Sequence, residues 1–425
     1  MTTKLSNIVN LTNFIKLIKK NQLYVNILFI SALLIPYSLA AGPAIVEIVI
    51  FLIVFSYIFH TLAKIKKISF NKFDLLIAAF FFITIISSLV SNYALISLKS
   101  SFFSIRFIIL IYAIVFLLKK LDYSFKYFAI LFFACFAFIV FDGYVQFIFG
   151  KDLLLISQES KTVISGVFGN EKKLGSFLAR TFPLIIGFYL LISKKKINEK
   201  INNFIIISII VFPLIYFTSE RLAMLYFFIT LLFFVVWASK INKDVIVIVS
   251  LVTFIIPFIL LAFDINEFNN KIKDSYNQLF PKNKIVYYSE QHSAFAFTSI
   301  ELFKKKPILG IGPNNYRREC GKIKTTNNVS NCSTHPHNIF FQLISEIGLI
   351  GILPYIIFNV LIFYEVFKFL FRNNYKRVSF FFLLPVIYYL NPFVPSGNFF
   401  NNWYMCIGIF SLPFYLHLIK TKKSV

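Results

Sequence analysis

Charge is scarce in this chain, and one sign of it is scarcer still: charged residues make up 14% of the 425 positions, with 18 Asp and Glu against 43 Lys and Arg. A chain this poor in charge, with 58% hydrophobic residues, 57 of them Phe, and a mean hydropathy of +0.77, cannot present the polar surface of an ordinary soluble domain. It reads as a polytopic membrane protein. Three more absences narrow this. There is no internal repeat, no second soluble domain, and no convincing small-residue cleavage site behind the Lys-flanked first apolar run. Another span follows that run, so it is read as a retained helix rather than a signal peptide.

The deficit of acid leaves a formal net charge of +25, which by itself would suit a nucleic-acid binder. Its distribution excludes that partner. The excess sits in short connections, around Lys16 to Lys20, Lys64 to Lys72, Lys119 to Lys126, Lys194 to Lys200, Lys240 and Lys243, Arg372 to Arg377, and Lys420 to Lys423. These alternate with poorer connections near Ala40, Ser97, Phe149 to Lys173, Ser219 and Ser396. By the positive-inside rule the rich set is cytoplasmic, and both termini with it.

Apolar runs of the usual helix length give about 12 candidate spans, at 22–39, 44–62, 74–91, 101–118, 126–148, 174–193, 203–218, 222–239, 245–263, 339–370, 378–393 and 402–419. The fold class is all-α, one transmembrane domain over 1–425. Alternating direction puts 264–338 outside as the one large loop. Within it Ser293 to Phe303 has helical composition, and Pro307 to Tyr316 breaks the helix with turn residues.

Cysteine and histidine are sparse enough to count singly, at 4 and 5. Cys135 and Cys406 fall inside spans, where a thiol is a small packing residue. Cys320 and Cys332 share the loop, where an oxidising space would let them form a disulfide; two free thiols are the alternative. Their spacing to His335 and His337 fits no common zinc finger, so no metal is expected. Those two histidines lie in His335-Pro336-His337-Asn338, where the aqueous loop meets a span. Imidazole is the side chain best suited to move a proton near neutral pH, which makes His337 the candidate general base. His335, beside Pro336, reads as a positioning residue, His292 is open, and His417 is interfacial.

Charges inside spans are costly and mark cavities or partners. They are Glu47, Arg106, Asp142, Arg180, Arg221 and Glu346. Arg106 is placed roughly 8 Å inside its span at 1.5 Å per residue, and Arg180 similarly. Arg221 ends the tight turn Thr218-Ser219-Glu220-Arg221. All three guanidinium groups fall in the leaflet of His337, and guanidinium binds phosphate oxygens in pairs, so a lipid pyrophosphate is the expected ligand. The bland alternative has Arg106 and Arg180 snorkelling or pairing with Asp142 and Glu47. Glu346, two and a half turns beyond His337, is read as orienting an Arg or capping a helix contact.

These motifs together resemble the O-antigen ligase and O-antigen polymerase superfamily of bacterial envelope glycosyltransferases. The resemblance is carried by Phe168-Gly169-Asn170-Glu171 with Leu174-Gly175-Ser176 and Arg180, by Thr218 to Arg221, by Pro307 to Arg317, by His335 to Asn338 with Gln342, Glu346, Gly348 and Gly351, by Asp142 with Gln146, and by Pro395 to Trp403. It implies a GT-C-like membrane fold and a metal-independent, inverting transfer without cofactor at the outer face of the inner membrane. The donor would be a glycan on undecaprenyl pyrophosphate. The acceptor would be a sugar hydroxyl of lipid A-core in a ligase, or another lipid-linked repeat in a polymerase. By the same resemblance His337 is the base and Arg221 a pyrophosphate ligand, with Arg180, Arg106 and Arg317 beside it and His335, Asn338, Glu346 and Asp142 in support.

The chain departs from the ligases at Ser289-Glu290-Gln291-His292-Ser293, where many carry an Arg; Arg317, Arg318 or Lys306 are the substitutes at hand. Ligase is placed slightly ahead of polymerase. The rival from another class is a lipid or glycan transporter, which intramembrane Arg and Asp would suit, but it lacks the inverted repeat and does not explain the His motif.

Overall fold

The computed structural model describes residues 23–62, 72–157, 163–169, 171, 173–239, 273–274, 276–281, 286–323, 330–371 and 378–421. The expected span at 245–263 and the start of the expected loop lie outside them. The main helices are α1 (Leu23–Leu33), α2 (Ile35–Ala41), α3 (Pro43–Leu62), α4 (Lys72–Leu89), α5 (Ala94–Lys120), α6 (Ser124–Phe149), α7 (Leu174–Ile192), α8 (Ile197–Phe217) and α9 (Arg221–Ser239). There follow α10 (Glu290–Lys305), α11 (Tyr316–Glu319), α12 (Ile339–Phe371), α13 (Leu384–Leu390), α14 (Asn402–Ile409) and α15 (Leu412–Thr421). No strand occurs among the described residues. Lipid offers backbone groups no partner, so helices that satisfy their own N–H and C=O are the available spanning element for such a sequence.

Among the described residues eight helices, one of them α14 and α15 taken together, are long and apolar enough to cross a bilayer. There are nine if α1 and α2, bent by 49°, form one span. The expected spans at 74–91 and 378–393 are represented by shorter apolar helices, Asp74–Leu89 and Val378–Leu390. One start is corrected: α5 begins at Ala94, not near residue 101. Ser97 reads as a connection in the sequence, but its hydroxyl is buried against Pro313 O at 3.0 Å, and Ser101 Oγ lies 2.8 Å from Ser88 Oγ. Arg106 therefore lies about 18 Å along its helix at 1.5 Å per residue.

The helix α7 is the centre of the bundle: 78% of its apolar window is buried, against 33% for α3 at the periphery. Phenylalanine fills the space around it. Phe188 meets Phe382 and Phe414, each with ring centroids at 5.0 Å. Small residues let backbones close up where rings would not fit, as at Gly408, whose added Cβ would lie 2.3 Å from the Tyr389 ring.

The loop motif Pro307 to Tyr316 is stitched into a break in α12. Gly348 has φ 67 and ψ −169, so the helix stops and restarts there, and the backbone groups this frees are taken up by the loop. Ile311 N–H donates to Ser345 O at 3.0 Å and Gly312 N–H to Glu346 O at 2.8 Å. In the reverse sense Leu349 N–H donates to Pro307 O at 2.8 Å. Both strands of the stitch need glycine. Gly348 and Gly310 have positive φ, and a Cβ on either would come within 2.4 Å of the other segment's backbone. Further along, Cys320 and Cys332 are joined by a disulfide with Cα atoms 5.2 Å apart, packed with Tyr316 and Leu302 in a small core of its own.

Candidate active site

Asn338 ends the loop and starts α12. Its Oδ1 accepts from Phe341 N–H at 3.0 Å, capping the helix, while its Nδ2 donates to Pro392 O at 2.8 Å and Tyr287 Oη at 2.7 Å. One residue earlier, His337 has φ 54, an uncommon left-handed backbone. It is held there by Ser396 N–H, which donates to His337 O at 2.8 Å. The His337 ring is half-buried, stacked on Phe295 with centroids at 5.4 Å, and its Nε2 lies 3.1 Å from Ser333 Oγ.

Three imidazoles gather here, with His335 at 4.2 Å and His292 at 5.9 Å from the His337 ring centroid. Burial, and then the neighbouring His292, lower the His337 pKa below its ordinary 6.5. It is a neutral imidazole at pH 7, which is the form able to accept a proton. Burial also pushes His335 down, to about 3, with His337 and Arg317 adding to the effect. His335 is buried, with Nε2 at 3.1 Å from Ser396 O and Nδ1 at 2.9 Å from Thr334 Oγ1, so both ring nitrogens are engaged.

The segment from Pro392 to Asn401 carries the site from the histidines to a buried cation. Gly397 packs on the Tyr404 ring, where an added Cβ would lie 3.1 Å from the ring carbon. The other face of this arrangement is Arg180, 2% exposed, its guanidinium centred 4.8 Å from the ring centroids of both Tyr226 and Tyr404. Arg180 Nε donates to Ser176 Oγ at 3.1 Å and Nη2 reaches Tyr404 Oη at 3.4 Å, but Nη1 is buried with no hydrogen-bond partner. No carboxylate forms an ion pair with it among the described residues. Tyr226 is itself locked, stacked on Tyr388 at 4.3 Å, each hydroxyl donating to the other's backbone oxygen at 3.0 Å.

The turn before α9 closes on the start of α7. Glu220 accepts from Gly175 N–H at 2.8 Å and Ser176 N–H at 3.0 Å, so a carboxylate occupies the N-terminus of the helix that carries Arg180. Burial raises the Glu220 pKa from 4.5 to about 7, opposed by those two N–H groups and by Arg180. Arg221 itself is exposed, its Nη1 donating to Gln278 Oε1 at 2.8 Å.

Other predicted residues serve the frame. Glu346 is fully buried and accepts from Tyr316 N–H at 3.0 Å, capping α11, and from Gln342 Nε2 at 3.0 Å. Gln342 continues to Asn398 Oδ1 at 2.8 Å and takes Phe399 N–H at 2.9 Å, tying this network back to the Pro392 to Asn401 segment. Asp142 pairs with no arginine among the described residues; it accepts from Leu153 N–H at 2.9 Å, and with Gln146 it fastens the loop after α6. Arg106 is an ion pair with Glu47 at 2.7 Å and reaches Asn402 Oδ1 at 2.6 Å.

Of the three candidate substitutes for the missing loop cation, Lys306 holds Asn92 Oδ1 at 3.2 Å and Arg318 lies over Tyr93 at 5.3 Å. Arg317 faces the site: it reaches Asn314 at 3.4 Å, and its charge acts on His335. Sequence reasoning missed Tyr226 and Tyr404, which flank Arg180, and Lys173, which lies over the Trp403 ring at 5.5 Å. For Tyr226 and Tyr404 the only sequence signal was an aromatic residue within a span otherwise rich in apolar side chains.

The structure thus joins, through one short segment, an imidazole of lowered pKa and a buried guanidinium that forms no ion pair among the described residues. Neither the curated proteins nor the solved structures contain a match to the chain. Residues 204–356, running from α8 through Arg221 and the loop to His337, Glu346 and the Gly348 break, match the profile of the family described as O-antigen ligase.

Proposed function

We propose that this protein transfers a glycan from undecaprenyl pyrophosphate to a sugar hydroxyl of lipid A-core at the periplasmic face of the bacterial inner membrane, with both termini cytoplasmic. The family supports an enzyme of envelope glycan assembly; the finer reading rests on one observation. Arg180 is a buried cation that forms no ion pair with a carboxylate among the described residues and has an unpartnered Nη1, linked through Tyr404 and Gly397 to the segment that holds His337. A charge left unpaired in a low-dielectric interior is costly unless an anionic ligand completes it.

In this reading His337 accepts the proton of the attacking hydroxyl. The hydroxyl oxygen forms the new bond to the anomeric carbon, and the old carbon–oxygen bond breaks with its electron pair leaving on the pyrophosphate, so the configuration inverts. Arg180, Arg221 and Arg317 stabilise the charge growing there. A pyrophosphate is already a good leaving group, and guanidinium groups meet its remaining need.

The test is deletion with complementation. Loss of the gene should leave long polymers on undecaprenyl pyrophosphate, and His337→Ala should fail to restore transfer while inserting normally in the membrane. A single repeat capping lipid A-core would identify a polymerase instead. Full transfer by His337→Ala would remove the general-base assignment.

A further inference from the structure

Glu220 stands at the junction of two helix starts, and each of those helices carries an arginine. Its backbone oxygen accepts from Ala223 N–H at 3.0 Å and Met224 N–H at 3.2 Å, opening α9, whose first residue is Arg221. Its carboxylate takes Gly175 N–H at 2.8 Å and Ser176 N–H at 3.0 Å in the first turn of α7. Ser176 passes the contact on, since its Oγ accepts from Arg180 Nε at 3.1 Å. One acidic side chain therefore holds both elements that present guanidinium groups to the proposed pyrophosphate.

An ordinary helix cap is not built this way. Asp, Asn or Ser at the N-cap satisfies the first N–H groups from the helix's own end, whereas the α7 N-cap is Lys173, whose side chain makes no capping bond. The cap comes instead from 45 positions away, and two costs accompany it. Ser219 takes a left-handed backbone, φ 59, which is strained for a residue with a side chain. Position 175 is also confined to glycine, because an added Cβ would collide with Thr218 Oγ1 and lie 2.9 Å from Glu220 Oε1. The remote cap does what a local one cannot: it fixes α7 against the turn that starts α9.

We infer that Glu220 is a positioning residue: by clamping the start of α9 to the first turn of α7, it sets Arg221 and Arg180 at the separation that a two-phosphate group requires. This rests on the transfer reading above, in which both arginines serve the pyrophosphate. The sign of the effect separates position from charge. A carboxylate beside an anion site repels the anion, so removing that charge should tighten binding if charge were its whole contribution. Removing a clamp loosens binding instead.

The experiment measures binding without turnover, using the full-length protein in phosphatidylethanolamine nanodiscs with undecaprenyl pyrophosphate and undecaprenyl phosphate as probes. Wild type should prefer the pyrophosphate. Glu220→Gln keeps the shape and removes the charge; it should weaken the pyrophosphate at least tenfold more than the monophosphate. Gly175→Ala should do the same without altering any charge. In an Arg180→Met background Glu220→Gln should add less than about twofold, because with one guanidinium gone no separation is left to set. Tighter pyrophosphate binding in Glu220→Gln, or losses that multiply independently in the double variant, would overturn the proposal. A lowered unfolding temperature with the wild-type preference retained would reduce Glu220 to a helix cap. Loss of the preference in Arg180→Met with its retention in Glu220→Gln would overturn the clamp and leave the transfer reading standing, whereas a wild type with no preference would overturn both.

Discussion

Arg180→Met asks whether the central cation serves the fold or the substrate. The substitution keeps an unbranched side chain and removes the charge. Lost from the folded protein are two aromatic faces at 4.8 Å, worth about 0.5–2 kcal/mol each, and one hydrogen bond to Ser176 at 3.1 Å, worth about 1.5–3 kcal/mol for a charged donor. The contact to Tyr404 at 3.4 Å adds little. Against this, the variant no longer pays several kcal/mol to strip water from a guanidinium that finds no carboxylate. The two sides nearly cancel, so thermal unfolding in a fixed detergent should shift by no more than about 3 °C in either direction. Transfer in a purified assay with a lipid-linked donor should fall about 10²- to 10³-fold, the usual cost of losing one group that stabilises leaving-group charge. A variant that unfolds far below wild type, with activity tracking the folded fraction, would make Arg180 a structural residue. Wild-type turnover would refute its role altogether.

Four more outcomes follow from the geometry. Gly310→Ala should destabilise the protein by about 3 kcal/mol or more, since the new Cβ meets the Glu346 carbonyl carbon at 2.4 Å at a positive φ; unfolding midpoints equal to wild type would contradict the stitched break. The His337 pKa lies below 6.5, so the base form persists as pH falls, and the acid limb of the transfer rate should lie below pH 6.5 and vanish in a His337 variant; an inflection above 6.5 would speak against it. Glu220 is raised from 4.5 to about 7, so its folded state is favoured with the carboxyl protonated, and that contribution is full below pH 4.5 and lost as pH rises through about 7. Glu220→Gln should flatten the stability profile across this window, and an unchanged profile would reject the assignment. Cys320→Ser opens a loop whose ends are 12 residues apart, which should cost about 3 kcal/mol and expose the loop core around Tyr316 to protease; a proteolysis pattern like that of the unreduced wild type would count against it.

The apolar spans were legible because each carries its own signal within about twenty residues. What the sequence concealed depended on partners far away in it. The start of α5 was missed because Ser97 looks like a loop residue until Pro313 supplies its hydrogen bond. The break at Gly348 was hidden inside a stretch read as one span over 339–370, and becomes visible only once Pro307 to Gly312 lies against it. Sequence also left Arg106 and Arg180 with the same open choice between pairing and function. The fold separates them: Arg106 takes Glu47, while Asp142 goes to the Leu153 backbone and Arg180 is left with rings instead of a carboxylate. The imidazole pair was recognisable as a site of chemistry from residue type alone. Its third member, His292, and the Phe295 ring beneath His337 required α10 to fold back over the loop.

At the start of α14 three consecutive residues each answer a different cation: Asn402 meets Arg106, Trp403 meets Lys173 and Tyr404 meets Arg180. Successive side chains on a helix are turned by about 100° from one another, so this one turn acts as a distributor that points three contacts in three directions. Such a device tolerates exchange of a side chain far better than a change of count. One residue inserted between Asn401 and Asn402 would shift each contact to the wrong neighbour at once, so that insertions here should be far more damaging than any single substitution in the same turn.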